Sequence, residues 1–174
     1  DVYSLDNKSL LHHEEKKDSA ADAVTAGFKL ELAPLMADHV VLVKLQLKNA
    51  QGVLISDNLY WLSAEYANYH ELTRLPTAQL AATATSSRVG NNGRVSVHLE
   101  NRGASAALET KLTLLGAGGA RILPAYFSDN YVSLLPGESR EIAIEFPASG
   151  SASPQVAIRG WNVVGQTVSV AGDK

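Results

Sequence analysis

Ala-Arg-Ile-Leu-Pro-Ala-Tyr-Phe-Ser-Asp-Asn-Tyr-Val-Ser-Leu-Leu-Pro-Gly, at residues 120–137, is the stretch that says most about the fold of this 174-residue chain. A strand-like run at 121–127 leads into a polar triplet at 128–130, and a second, apolar run ends in Pro-Gly at 136–137. Short apolar runs bounded by turn residues are typical of β-strands. The stretch therefore predicts two strands joined by a bend at the polar triplet.

Strand and turn signals continue on both sides of this stretch through the second half of the chain. Apolar residues alternate with polar ones at 95–99 and at 142–146, as expected when one face of a strand is buried. Asn-Asn-Gly at 91–93 predicts a tight turn. Turn signals recur about every 8–12 residues, which is the spacing of an all-β sandwich. Residues 78–174 are therefore predicted to form a terminal immunoglobulin-like β-sandwich domain.

The first half of the chain also reads as β-structure, with about five strand signals. The strongest covers residues 39–48, and its partner runs from 53 to 62. Phe28, Leu30 and Leu32 alternate with charged residues, which predicts a half-buried strand that ends before Pro34.

The strand count determines the predicted domain organisation. An immunoglobulin-like sandwich needs about seven strands, and a sheet without its neighbours would leave open edges. Residues 1–63 are therefore predicted to be the C-terminal part of a penultimate β-sandwich domain whose opening strands lie upstream of Asp1. Residues 64–77 break the alternation and are the predicted linker. The predicted fold class is all-β, with two immunoglobulin-like β-sandwich domains in tandem, the first without its opening strands.

Composition excludes several classes of function. The formal net charge is −3, so the strong basic signal of a nucleic-acid-binding protein is absent. No apolar run approaches the ~18 residues of a membrane span, so we expect no membrane partner. The chain has no cysteine, which excludes disulfides, thiolate zinc sites and cysteine nucleophiles but leaves the compartment open.

His12-His13-Glu14-Glu15 has the residue types of a metal site but the wrong spacing. Adjacent residues of a strand point to opposite faces, so His12 and His13 would not bind one ion together. The helical spacing of histidines around a glutamate that marks zinc proteases is also absent. The prediction is a solvated, charged edge strand, with no metal and no cofactor.

Acidic residues give no clear catalytic pair. Asp57 and Asp129 each lie in a Ser-Asp-Asn triplet next to aromatic residues, and we expect their side chains to cap the backbone of turns or bulges. No Gly-x-Ser-x-Gly nucleophile motif occurs. The glycines at 116–119 stand between two strands and predict a hairpin turn rather than a phosphate-binding loop. No catalytic residue is predicted.

Aromatic residues are the remaining candidates, because sugars stack on exposed aromatic faces. A tryptophan in such a position more often fills a core or a domain interface, since it buries a large area. Both interpretations stay open for the residues predicted to contact a carbohydrate or a neighbouring domain, which are Tyr60, Trp61, Tyr66, Tyr69, Tyr126, Asp129, Asn130 and Trp161.

Three motifs carry a family resemblance: Ser-Asp-Asn-Leu-Tyr-Trp-Leu-Ser at 56–63, Leu-Pro-Ala-Tyr-Phe-Ser-Asp-Asn-Tyr-Val-Ser-Leu-Leu-Pro-Gly-Glu at 123–138 and Arg-Gly-Trp-Asn at 159–162. With them the whole chain resembles the C-terminal β-sandwich region of glycoside hydrolase family 2 enzymes of the exo-β-glucosaminidase, β-mannosidase and endo-β-mannosidase type. The resemblance implies a much larger, secreted or periplasmic parent with an upstream (β/α)8 catalytic domain as the main partner of this segment.

Family members cleave β-linked glucosamine or mannose residues with retention, using two glutamates on the barrel. No position of this chain matches those motifs, so the resemblance carries over no catalytic residue. It implies instead a non-catalytic accessory region that supports the barrel and shapes its entrance. A carbohydrate-binding module that contacts an oligosaccharide, and a general interaction or adhesion sandwich, are the alternatives.

Overall fold

Strands dominate the computed structural model, which describes residues 1–148 and 154–172. The chain divides into two units, Asp1–Arg74 and Leu75–Lys174. The strands of the first unit are β1 Val2–Ser4, β2 Ser9–Leu11, β3 Val41–Lys48 and β4 Leu54–Leu62. Those of the second are β5 Ala81–Val89, β6 Asn92–Glu100, β7 Ala107–Leu115, β8 Tyr126–Phe127, β9 Val132–Leu134, β10 Ser139–Pro147, β11 Gln155–Arg159 and β12 Gln166–Ser169. The helices are short: α1 at Ala33–Met36, and 3-10 helices at Tyr66–Arg74 and Ala117–Gly119.

The described part of the first unit has one antiparallel sheet, in the order β2-β1-β3-β4. Its centre is the apolar cluster of Val2, Val41 and Val43, which alternation along β1 and β3 places on one face. The segment at 30–36 lies over this cluster with its leucines and Met36. The strong strand predicted at 39–48 and its partner are thus present as β3 and β4.

Two strand predictions in the first unit are wrong. Residues 28–32 are not a strand, because no described strand lies beside them to share hydrogen bonds, and Pro34 instead falls in the first turn of α1. Residues 12–17 are not an edge strand either. The pairing of β2 with β1 ends at the Val2–Leu11 pair, so the charged residues that follow have no strand to pair with.

The second unit is a sandwich of two antiparallel sheets, with strand orders β5-β6-β10-β8 and β12-β11-β7-β9. The alternating residues of the facing sheets supply a common core. Its fully buried members include Val95, Val97, Leu99, Leu112, Leu114, Ile142, Ile144, Val156 and Ile158. The all-β, immunoglobulin-like fold class predicted from the sequence is confirmed.

The stretch at 120–137 joins the two sheets of this sandwich. β8 pairs with β10 in one sheet, and β9 pairs with β7 in the other. The bend at 128–131 therefore carries the chain from one layer to the next. The predicted bend is correct, but the two strands it joins are not neighbours.

The turn predicted at 91–93 lies slightly earlier. Val89 pairs with Asn92, which leaves Gly90 and Asn91 as a two-residue hairpin turn, and Gly90 has a φ of +60°. Gly93 belongs to β6, where a β-carbon would come within 2.5 Å of the Phe146 ring. A glycine is needed there for close packing rather than for the turn.

Residues 64–77 remain a predicted linker. The Tyr66–Arg74 helix lies within this range at the end of the first unit, and its Leu72 is buried.

Candidate functional site

Tyr60 and Trp61 lie next to each other on β4 and point to opposite faces of the sheet. Tyr60 lies opposite Val43 and is exposed, whereas Trp61 lies opposite Leu42 and is half-buried. Because adjacent strand residues alternate between faces, the two rings do not form one sugar-stacking platform.

Tyr66 and Tyr69 are brought together by the 3-10 helix. Their ring centroids are 6.1 Å apart in an edge-to-face arrangement, which is a favourable geometry for two aromatic rings. Tyr66 is 90% exposed and Tyr69 is half-buried. This is the one pair of predicted aromatic residues whose rings the described structure places in contact.

Asp129 and Asn130 have structural roles in the bend between β8 and β9. The Asp129 carboxylate accepts a hydrogen bond from the Asn130 N–H at 2.8 Å, as expected for a cap. The Asn130 side chain accepts from the Leu112 N–H at 2.8 Å and donates to the Leu112 carbonyl at 3.2 Å. The amide thus pairs with β7 as a further strand residue would.

Tyr126 and Tyr131 flank this bend with exposed rings. The Lys111 ammonium lies 5.1 Å from the centroid of the Tyr131 ring, which is within the range of a cation–π interaction. Both tyrosines are candidates for sugar stacking by residue type, and Tyr126 is among the predicted contact residues. The pairing of Lys111 with Tyr131 depends on a contact between β7 and the bend, so no local pattern shows it.

Trp161 and Asn162 have different roles although they share a motif. Trp161 is exposed, and Asn162 is buried. The Asn162 side chain donates to the carbonyls of Pro76 and Ala106 at 2.9 and 2.7 Å and accepts from the Leu108 N–H at 2.9 Å. It therefore ties together three segments of the second unit, and the sequence reasoning did not assign it this role.

Asp57 lies within β4 and not in the turn or bulge predicted for its Ser-Asp-Asn triplet. Its carboxylate forms an ion pair with the Lys44 ammonium at 2.8 Å. Both side chains are nearly buried, with 5% of Lys44 and 8% of Asp57 exposed. Lys44 lies opposite Leu59, so the pair crosses β3 and β4 diagonally on one face. Lys44 stands within an apolar run of the sequence, and this was the signal that could have indicated a buried acidic partner.

His39 and Glu71 join the start of β3 to the 3-10 helix. Glu71 accepts hydrogen bonds from the His39 ring at 2.8 Å and from the Val40 N–H at 2.9 Å. The hydrogen bond and charge of Glu71 raise the pKa of His39 above its usual value. The hydrogen bonds from His39 and then from Val40 lower the pKa of Glu71. The pair is a structural clasp with opposite charges at mildly acidic pH.

The two adjacent histidines have separate partners. His12 contacts the Asp1 carboxylate at 2.6 Å, and the His13 ring lies 3.9 Å from that of Phe28. Among residues 1–148 and 154–172, no group of three or more histidine or acidic side chains is placed to hold a metal ion. Within the same residues, none of the helices is long and apolar enough to cross a membrane.

Family comparison places the chain among modules of carbohydrate-active enzymes. The model described as the exo-β-D-glucosaminidase Ig-fold domain matches residues 58–163, which is more than half of the chain. The exo-β-D-glucosaminidase of Streptomyces avermitilis is 30% identical over 154 residues, covering 75% of this chain and 17% of that protein. The mannosylglycoprotein endo-β-mannosidase of Lilium longiflorum is 48% identical over 50 residues, covering 29% of this chain and 5% of that protein.

Solved structures agree with the sequence relatives. The exo-chitosanase of Amycolatopsis orientalis in complex with PNP-β-D-glucosamine matches with a TM-score of 0.73 at 25% identity, covering 97% of this chain and 23% of that one. A second structure of this exo-chitosanase matches with a TM-score of 0.69 at 28% identity, covering 75% and 18%. The chain thus spans about a fifth of the length of the proteins it matches.

Proposed function

The chain belongs to the family of Ig-fold domains of exo-β-D-glucosaminidases, within glycoside hydrolase family 2, and from this membership we propose that it is a non-catalytic accessory region of a larger retaining glycosidase. In that protein it forms part of the scaffold around an upstream (β/α)8 catalytic domain. Residues 1–63 are the end of a penultimate sandwich, 64–77 a linker and 78–174 the terminal sandwich.

The observation that carries this proposal is the family match at 58–163, combined with the small share of each relative that the chain covers. When the active site lies in the remaining four fifths of such a protein, this region has a supporting role. The singled-out carboxylates agree with it: Asp57 is held in an ion pair, and Asp129 caps its own bend. A general acid or nucleophile needs a carboxyl group that faces the substrate.

The substrate class we propose for the parent protein is a glycoside of β-linked glucosamine. The relative with the longer sequence match is an exo-β-D-glucosaminidase, and the matching exo-chitosanase was solved with a β-D-glucosamine derivative. A glycoside of β-linked mannose is the alternative, supported by the shorter match to the lily endo-β-mannosidase.

The test compares residues 1–174 with the parent protein on aryl β-glucosaminides and aryl β-mannosides. We expect hydrolysis by the parent and none by residues 1–174. A parent truncated before Asp1 should lose stability or activity, and added residues 1–174 should restore part of it if the region is a scaffold. Hydrolysis by residues 1–174 alone would overturn the accessory role, and an inactive but folded parent would overturn the glycosidase assignment.

A carbohydrate-binding module is the second candidate function, and exposed aromatic rings favour it. Tyr126 is 69% exposed and Trp161 is 59% exposed, so each presents surface on which a sugar could stack. Binding of chitosan and mannan oligosaccharides by residues 1–174 would be measured by calorimetry. Loss of binding in Trp161→Ala or Tyr126→Ala, with no loss in Val89→Ala as the exposed control, would support this function. No binding at millimolar oligosaccharide would exclude it.

A further inference from the structure

Asparagine is followed directly by glycine at one place in the chain, Asn92-Gly93. In such a dipeptide the backbone nitrogen of the second residue can attack the side-chain carbonyl carbon of the first. Glycine offers little steric hindrance to this attack, because it has no β-carbon and its backbone rotates freely. The dipeptide therefore has the chemistry of spontaneous deamidation.

Packing in the second unit requires this glycine. Gly93 pairs with Phe146 of β10, and a β-carbon at position 93 would lie 2.5 Å from Cζ of the Phe146 ring. The ring belongs to the core of the second unit and is only 7% exposed. A larger residue at position 93 would push the ring out of its place in this core. The fold therefore keeps the reactive dipeptide in the sequence.

The asparagine lies where three strands meet at their ends. Asn92 is the first residue of β6 and is exposed to solvent. It pairs with Val89 and Pro147, which are the last residues of β5 and β10. Just beyond it, the Ala148 N–H donates to the Asn91 carbonyl over a long 3.3 Å. Strand ends open more easily than strand centres, so we expect this end to open at a low free energy.

Pairing on both sides of β6 slows the reaction while the strand end is closed. β6 lies between β5 and β10, and Gly93 pairs with Arg88 on one side and with Phe146 on the other. Ring closure needs the Gly93 nitrogen to turn towards the Asn92 side chain, which an extended backbone held in a sheet does not allow. The end of β6 must therefore open before the reaction takes place.

We propose that Asn92 is a site of spontaneous deamidation, and that opening of the end of β6 sets its rate. The Gly93 nitrogen forms a bond to the Asn92 side-chain carbonyl carbon, and the side-chain nitrogen leaves as ammonia with the proton of the Gly93 N–H. Water then opens the resulting succinimide ring. Breaking the bond from the Gly93 nitrogen to the side-chain carbonyl gives aspartate, and breaking its bond to the main-chain carbonyl gives isoaspartate. The reaction needs no reagent other than water, and it is independent of the proposed function.

The isoaspartate product changes the backbone as well as the charge. Its main chain runs through the side-chain carbonyl, which adds a carbon atom between the pair of Val89 with Asn92 and the pair of Gly93 with Phe146. The two pairs cannot then both keep their register, so the close contact of Gly93 with the Phe146 ring is lost. We expect the isoaspartate form to be less stable than Asn92→Asp, which adds the charge alone.

Peptide mapping by mass spectrometry, on residues 1–174 kept folded at mildly alkaline pH, tests the site. Asn92 should deamidate at least about tenfold faster than Asn91 and Asn49, which are exposed turn residues not followed by glycine. A synthetic peptide of residues 88–96 should react about ten- to a hundredfold faster than the folded protein, because it needs no strand opening. Equal rates at these asparagines, or equal rates in the peptide and the folded protein, would overturn the inference.

Two variants separate the role of Gly93 from that of strand opening. Phe146→Leu removes ring contacts that hold the strand end, so Asn92 should react at least about threefold faster than in the wild type. Adding Gly93→Ala to Phe146→Leu, where the new β-carbon has room, should then slow the reaction about tenfold or more. Ile158→Val, a buried substitution in the other sheet, is the control and should leave the rate within about twofold. An unchanged rate in Phe146→Leu, or a rate that Gly93→Ala does not slow, would contradict the mechanism.

Thermal unfolding tests the effect of the modification. Protein aged until Asn92 is converted should melt about 4 °C or more below Asn92→Asp, because part of it carries the longer backbone of isoaspartate. Asn92→Gln, aged in parallel, should keep its melting temperature. Equal melting temperatures for the aged protein and Asn92→Asp, or the same loss on ageing in Asn92→Gln, would overturn the inference.

Discussion

The buried side chain of Asn162 offers the sharpest test of how the second unit is held together. Its amide makes three hydrogen bonds, to the Pro76 carbonyl, the Ala106 carbonyl and the Leu108 N–H, at 2.9, 2.7 and 2.9 Å. The residue is only 8% exposed, so water does not readily replace these partners. Asn162→Ala removes all three bonds while leaving the backbone free to keep its conformation.

The expected loss of stability follows from the net contribution of each hydrogen bond to the free energy of unfolding. A typical intramolecular hydrogen bond contributes about 1 kcal/mol, and a buried donor left without a partner costs about 1–3 kcal/mol. Three lost bonds, one of which leaves the Leu108 N–H unpaired, give an expected loss of about 3–4 kcal/mol in the free energy of unfolding. Asn162→Asp should cost more at neutral pH, because its carboxylate oxygen would face two carbonyl oxygens in place of the donated bonds.

Urea unfolding followed by tryptophan fluorescence measures this loss. A Trp61→Phe background leaves Trp161 as the sole tryptophan, so that the signal reports on the second unit. Asn91→Ala, in the hairpin turn between β5 and β6, is the control and should change the free energy of unfolding by less than about 0.5 kcal/mol. An unchanged urea slope shows that the variants unfold by the same transition.

Two results would refute this reasoning. A loss below about 1 kcal/mol for Asn162→Ala would mean that the three bonds are replaced at little cost. Equal stability of Asn162→Asp and Asn162→Ala at neutral pH would mean that the carbonyls of Pro76 and Ala106 do not surround the side chain as described. Lowering the pH towards about 4 should recover part of the stability of Asn162→Asp, because burial beside two carbonyls raises the pKa of the introduced carboxyl group and its protonated form can donate one bond.

Two further predictions concern the first unit. Glu71→Gln should reduce the stability of this unit, measured by thermal unfolding, most between about pH 4.5 and 6.5. The stabilisation linked to the raised pKa of His39 is present below about pH 6.5 and is lost as the pH rises further. The stabilisation linked to the lowered pKa of Glu71 is present above about pH 4.5 and is lost as the pH falls further. Lys44→Met or Asp57→Leu alone should cost about 3–5 kcal/mol, and the double variant less than either, in a double-mutant cycle by urea unfolding.

These predictions have direct controls. Glu65→Gln, at an exposed position just before the same 3-10 helix, should show no such pH window. A stability difference for Glu71→Gln that is flat from pH 4 to 8 would contradict the charged clasp. A double variant whose cost equals the sum of the two singles would show that Lys44 and Asp57 do not interact.

Much of the second unit follows from local pattern. Alternation at 95–99 and at 142–146 marks β6 and β10, because a strand with one buried face must place an apolar residue at every second position. The polar triplet at 128–130 marks the bend, since the Asp129 and Asn130 side chains accept hydrogen bonds from the backbone N–H groups of the residues that follow them. The candidate contact residues remain predictions, and the structure adds where each one lies.

Other features depend on partners far away in the sequence. Asp57 and Asp129 occupy the same kind of triplet, yet one forms an ion pair across a sheet and the other caps a bend. The two aspartates have different roles because each one contacts a different neighbour in the folded structure. The predicted strand at 28–32 shows the same limit, because alternation gives a segment the capacity to pair but does not supply the second strand.

The sequence by itself therefore determined the all-β class, the sandwich of the second unit and the resemblance to family 2 glycosidases, because periodicity, turn residues and short motifs are local properties of the chain. Only the tertiary structure decided that residues 120–137 pass from one sheet to the other and that Asn162 joins three segments. Hydrogen bonds and packing between distant segments have no local signature, since each depends on both partners.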